Sequence, residues 1–97
     1  MQTALLKTPT NLIESELVLV PGTLEIGQAK DNHIRLDGSD ISQYHLRIVT
    51  YFQESYLIDL NSEGGTFLNG ERVIKHSLKP GDTIQLGHYS FKVMAPR

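Results

Sequence analysis

Ninety-seven residues, 39% hydrophobic and 21% charged, describe a globular chain long enough for one domain with one modest core. Nine basic and eleven acidic side chains leave a formal charge of −2, without the broad positive field of a nucleic-acid binder. Zero cysteines exclude disulfides and thiolate metal sites. With no bilayer-length apolar run and no basic leader ahead of an apolar stretch, no membrane insertion is expected and the expected address is cytoplasmic.

In chain order the pattern is one of strands and turns. An N-terminal edge strand is expected at about residues 3–7, followed by a break at Lys7-Thr8-Pro9-Thr10-Asn11. After a Pro21-Gly22 turn, Leu24 and Ile26 alternate with Thr23 and Glu25, and Ile34 and Leu36 with His33 and Arg35. Asp37-Gly38 is a further turn. Leu46, Ile48 and Thr50 face away from His45, Arg47 and Val49, and Tyr51, Phe52 and Tyr56 flank a turn at Gln53-Glu54-Ser55. Asn69-Gly70, between Phe67-Leu68 and Val73-Ile74, is the strongest hairpin signal in the chain. Pro80-Gly81 suits a type II turn, since proline sets φ and glycine accepts a positive one. Ile84 and Leu86 then alternate with Thr83 and Gln85, and Tyr89, Phe91 and Val93 with His88, Ser90 and Lys92. No window carries a helical apolar stripe. Short strands at this spacing predict an all-β sandwich or small barrel.

Catalytic constellations fit poorly. Ser42, His45 and Asp59 contain the residue types of a nucleophilic triad, but Ser42 and His45 point to opposite faces if the chain between them is extended. No strand–turn–helix presents Ser42 as a nucleophile elbow would. His33, His45, His76 and His88 are scattered, without metal-ligand spacing. Ser62-Glu63-Gly64-Gly65-Thr66 is glycine-rich but lacks the Gly-Lys-Ser/Thr of a nucleotide loop. No enzyme activity, metal or cofactor is expected.

An ordered string of short motifs remains. Leu24-Glu25-Ile26-Gly27-Gln28 precedes Asn32-His33-Ile34-Arg35-Leu36-Asp37, then Ile41-Ser42-Gln43-Tyr44-His45. Ile58 through Gly70 follows, and the string closes with Leu78-Lys79-Pro80-Gly81-Asp82-Thr83-Ile84-Gln85-Leu86-Gly87. This order resembles the forkhead-associated (FHA) domain, whose pattern runs Gly-Arg, Ser-x-x-His, Ser-x-Asn-Gly-Thr, Asn-Gly and Gly-Asp-x-Ile. The resemblance covers residues 24–93, and residues 4–20 fit the family's first strands, so residues 1–97 are expected to form a single FHA-like domain. It implies a β-sandwich of about eleven short, mainly antiparallel strands, with loops at one end that grip a phosphothreonine peptide. It implies a recognition module for a protein or peptide partner, with or without phosphothreonine. Nucleic acid is not an expected partner.

Carried onto this chain, the resemblance makes Gln28, Ser42, Gln43, Glu63, Gly64 and Asn69 the candidate phosphopeptide-binding residues. Gly27, His45, Gly65 and Thr66 are structural supports of the binding loops. Several positions depart from the family pattern. Gln28 stands where the pocket arginine is usual, and Gly64 in place of the asparagine that holds the peptide backbone, while Gln43, in a slot usually basic or amide, keeps the amide donor but no charge. Glu63 fills a slot that often carries a hydroxyl or amide, and Asp40 occupies a position lining the peptide groove. Charge-assisted hydrogen bonds are worth roughly 1.5–3 kcal/mol, so losing the arginine weakens phosphate binding by about one to two orders of magnitude. A Glu63 carboxylate within ~5 Å of phosphate costs up to about 3 kcal/mol per unit charge at an effective dielectric of ~20. Lys30, Arg35 and Arg72 are the cations that could compensate. Two readings therefore stand. One is an interaction module with weakened or lost phosphothreonine dependence, acting as an adaptor or regulatory domain in signalling or secretion assemblies. The other is a working phosphothreonine module that uses Ser42, Gln43 and loop backbone N–H groups. A variant of the second docks phosphorylated Thr8 or Thr10 into another copy.

Overall fold

A computed structural model describes residues 5–7 and 16–95. Among them, eleven strands run in chain order: β1 (Leu5–Lys7), β2 (Glu16–Val18), β3 (Gly22–Gly27), β4 (Ile34–Arg35), β5 (Leu46–Tyr51), β6 (Glu54–Asp59), β7 (Thr66–Leu68), β8 (Glu71–Val73), β9 (Lys75–Leu78), β10 (Thr83–Leu86) and β11 (Tyr89–Met94). One sheet has the order β2-β1-β11-β10-β7-β8 and the other β4-β3-β5-β6-β9. Among the described residues the strand pairings are antiparallel except β3 with β4, where Ile26 lies beside Ile34 and Gly27 beside Arg35. Of the break expected at Lys7-Thr8-Pro9-Thr10-Asn11, Lys7 ends β1, and the rest, Thr8 and Thr10 included, lies outside the described residues.

Alternation decides which side of each strand enters the core, because successive side chains point to opposite faces. In one sheet Ile26, Leu46, Ile48 and Leu57 point inward; in the other Leu6, Leu68, Ile84, Leu86, Phe91 and Val93 meet them. Leu19, Ile34, Leu36 and Ile41 close the margins of the same cluster. Thr50 and Ser55 are buried opposite one another, and each hydroxyl finds its partner in the other at 2.7 Å. That pairing removes the cost of two unsatisfied polar groups in an apolar layer.

The turns fall at two ends. Asp82 N–H donates to Lys79 O at 3.0 Å and Gly81 has φ 98°, the type II geometry expected of Pro80-Gly81. Asn69 and Gly70 both have positive φ, 52° and 87°, as a two-residue hairpin loop requires. Elsewhere the structure moves the expected turn. Gly22 (φ 130°) opens β3 opposite Thr50, and the turn expected at Asp37-Gly38 is centred on Ser39-Asp40, closed by Ile41 N–H on Gly38 O. The turn expected at Gln53-Glu54-Ser55 is instead Phe52-Gln53, since Glu54 already pairs with Tyr51 and Ser55 with Thr50.

The register orients the molecule. Gly27, Leu46, Asp59, Thr66 and Leu86 lie at one end of their strands, joined by the loops at residues 28–33, 36–45 and 60–65 and the Gly87-His88 turn. Phe52-Gln53, Asn69-Gly70 and Pro80-Gly81 lie at the other.

Candidate functional site

The loop end is built in two layers. The inner layer starts at His45, which is fully buried. It immediately precedes β5, and the chain bends through 42–45 instead of running extended. Ser42 N–H donates to His45 Nδ1 at 3.0 Å, and the ring's Nε2 lies 2.9 Å from Gly65 O. A backbone N–H can only donate, so Nδ1 is the acceptor and Nε2 carries the proton given to Gly65 O. One imidazole thereby joins the 36–45 loop to the 60–65 loop.

Asp59 anchors the second of these loops. Its carboxylate accepts from Ser62 Oγ (2.6 Å), Thr66 Oγ1 (2.7 Å) and Ser62 N–H (3.1 Å), and Ser62 Oγ in turn accepts from Gly65 N–H (3.0 Å). Partial burial pushes the Asp59 carboxyl up, but the Ser62 and Thr66 hydroxyls and the Ser62 N–H outweigh it and hold it below the ordinary carboxylate value. The residue types of a triad are thus present but not assembled as one. The Ser42 hydroxyl accepts from Glu63 N–H at 3.2 Å, while Asp59 holds Ser62 and Thr66.

Gly27 and Asn32 tie the remaining loop in place. Gln28 N–H and Ala29 N–H donate to Ser42 O and Gln43 O, each at 3.0 Å. This backbone approach needs a glycine at 27, where a Cβ would sit 2.4 Å from Gln43 O. Asn32, 8% exposed, donates Nδ2 to Ala29 O (2.9 Å) and Gln43 O (2.8 Å). Tyr44 OH adds a link to Asp31 at 2.9 and 3.0 Å.

The outer layer is the rim. Gln43 Nε2 donates to Gln28 Oε1 at 3.0 Å, and Gln28 Nε2 reaches Gly38 O at 3.3 Å. Glu63 and Gly64 are exposed beside Ser42. Arg35 pairs with Asp37 at 3.0 Å. Arg72 lies against Gly65, its Nη2 3.5 Å from Ser62 O, and neither it nor exposed Lys30 has a carboxylate partner among the described residues.

Five candidates, Gln28, Ser42, Gln43, Glu63 and Gly64, are thus brought together, over the supports Gly27, His45, Gly65 and Thr66. Asn69 is not among them. It lies at the far end of β7, where Nδ2 donates to Asp82 Oδ1 and Oδ1 accepts from Thr83 N–H, both at 2.9 Å. The aromatic pair Tyr51 and Phe52 also occupies that far end, exposed, with ring centroids 4.4 Å apart. The roles of Asn32 and Asp59 were not read from the sequence. Asp59 carried a local signal, since a short acidic side chain ahead of Ser62 can accept from nearby backbone N–H groups. Asn32 carried none, because one of its carbonyl partners is eleven residues away.

Among the described residues no group of histidine, cysteine, aspartate and glutamate has the geometry of a metal site, and no helix is long and apolar enough to cross a membrane. Comparison with known proteins places this geometry. The family model for the FHA domain matches residues 24–87. FhaA, an FHA domain-containing protein of Mycobacterium tuberculosis, is 40% identical over 67 residues; these cover 69% of this chain but 13% of that relative's length. A structure from a study of phosphothreonine-dependent FHA domain interactions superposes with a TM-score of 0.87 at 32% identity, covering 98% of each chain. The FhaA FHA domain, solved in complex with the intracellular domain of Rv3910, gives 0.84 at 33% identity, covering 94% of this chain and 99% of that one.

Proposed function

The chain belongs to the FHA-domain family, a family of non-catalytic interaction modules, and from that premise we propose that its loop end docks a protein segment with weakened dependence on phosphothreonine. The carrying observation is the closed amide pair of Gln28 and Gln43, joined at 3.0 Å and anchored on Gly38 O at 3.3 Å. Where a guanidinium would present charge-assisted donors, two neutral amides spend a donor and an acceptor on each other. A phosphate carrying about −1.5 to −2 charge would also meet the exposed Glu63 and half-buried Asp40 carboxylates. Neutral amides and backbone N–H groups suit an uncharged peptide better than a dianion. In this reading the domain is an adaptor or regulatory module within a larger signalling or secretion assembly. The FhaA relative, itself a much longer protein whose FHA domain was solved with another protein's intracellular domain, is consistent with that use.

One observation favours a second reading, a working phosphothreonine module. Arg72 and Lys30 are cations without carboxylate partners among the described residues, and Arg72 lies against the 60–65 loop. Ser42, Gln43 and the Gly64 N–H would then supply the nearer donors.

An amide NMR titration with matched threonine and phosphothreonine peptides separates the two. The proposal expects shifts at Gln28, Ser42, Gln43 and Gly64 through Thr66 with both peptide forms, and affinities that differ by less than about tenfold. Shifts with phosphorylated peptides alone, abolished by about 0.5 M salt, would replace it with the second reading.

A further inference from the structure

Four strands form the sheet margins among the described residues, β2, β8, β4 and β9, and β9 is the longest of them. Its bonding to β6 fixes which of its backbone groups stay open. Asp59 N–H donates to Ile74 O at 2.8 Å, which makes this a hydrogen-bonded pair, and in an antiparallel ladder such pairs recur at every second residue. His76 and Leu78 therefore bond to Leu57 and Ser55, while the N–H and C=O of Lys75 and Ser77 point away from β6. The His76 ring fits this phase, since its Nδ1 lies 2.8 Å from Ser77 O, on the open side. A carbonyl only accepts, so Nδ1 carries the proton.

An open edge of this kind is a template for a further strand. Lys75, His76 and Ser77 are all exposed, and Ile74, 79% exposed, stands at the entry to the strand. Across the ladder Lys75 and Ser77 neighbour half-buried Ile58 and Tyr56, so an added strand finds apolar surface close by. The charge of the edge selects its occupant. Residues 71–79 hold three basic side chains and one acidic, in a chain that is acidic as a whole. Neither Lys75 nor Lys79 has a carboxylate partner among the described residues. A second copy paired along β9 would bring its own cations to the same margin, whereas acidic side chains on an incoming strand pair with them.

We propose that the β9 edge accepts an extended acidic segment of a partner protein as an added strand, bonded to the backbone of Lys75 and Ser77. The His76 ring holds the Ser77 carbonyl until an incoming N–H displaces it, an exchange that costs little at an exposed position. The site shares no residue with the loop-end candidates, so it stands or falls apart from the reading above.

Its test is amide NMR of the full chain at low salt, titrated with a capped eight-residue peptide of alternating glutamate and threonine, and with the same peptide carrying lysine for glutamate. The glutamate peptide is expected to shift Lys75 and Ser77, to slow their hydrogen exchange, and to bind on the order of fivefold more tightly than the lysine peptide. His76→Ala raises that affinity by about twofold. Lys75→Glu, at an exposed position, reverses the preference. Ser77→Pro removes an outward N–H without touching the β6 ladder and abolishes the shift at Lys75. Equal binding of the two peptides, no shift at Lys75 and Ser77 with either, or binding that survives Ser77→Pro overturns the proposal. Shifts confined to Ser42, Gln43 and Gly64 overturn it too and assign the peptide to the loop end. Protection of Lys75 and Ser77 that grows with protein concentration before any peptide is added gives the edge to a second copy, and overturns it as well.

Discussion

Beneath the loops, His45, Asp59, Ser62, Gly65 and Thr66 form a layer in which each side-chain bond joins two segments or closes a turn. Above it, Gln43, Glu63 and Asp40 from the same two loops, with Gln28 from the neighbouring 28–33 loop, are exposed or half-buried. The two layers contain similar polar groups and differ in what water can replace. A buried donor or acceptor that loses its partner bears the full desolvation cost, while an exposed one exchanges to solvent at little cost. The inner layer therefore sets loop shape, and the rim is free to vary chemically without unfolding the domain.

The sharpest way to break that contrast is His45→Ala. It orphans Ser42 N–H and Gly65 O and leaves a cavity, so urea denaturation is expected to show a loss of about 3–5 kcal/mol. A loss under about 1 kcal/mol would mean that the ring is not the brace.

Asp59→Asn comes next, with an expected loss of about 1–3 kcal/mol, because three donors then face an amide built to donate as well as accept. It also carries a pH signature. The folded Asp59 carboxyl lies below its ordinary value, so its contribution is present above the unfolded value of about 3.9 and is lost as pH falls through the lower folded value. Denaturation curves below about pH 4 should therefore separate wild type from Asp59→Asn less as acid is added. A gap that widens with acid would contradict the assignment.

The smallest effect on folding belongs to the rim. Gln28→Arg should leave stability within about 0.5 kcal/mol of wild type. It should raise affinity for a phosphothreonine peptide by about tenfold over its unphosphorylated twin. Calorimetry on the peptide pair reads the second quantity, and an unchanged ratio would mean that charge at position 28 is not what the rim lacks.

Much of the fold was legible because period-2 alternation is local. Leu46, Ile48 and Thr50 are buried as their spacing predicts, and Asn69-Gly70 and Pro80-Gly81 turn where their backbone preferences require. The ordered motifs likewise carry the family resemblance by themselves. Sequence alone did not determine how side chains at the loop end pair, since partners there come from segments far apart in the chain. His45 turns inward to a carbonyl twenty residues on, Gln28 meets Gln43 across fifteen, and Tyr44 reaches back thirteen to Asp31. Asn69, a binding candidate by motif, is held at the opposite end by a turn thirteen residues later. Strand faces follow from the pleat, a property of each segment by itself. Which polar groups satisfy one another is settled only when the two sheets close and bring their loops within hydrogen-bonding distance.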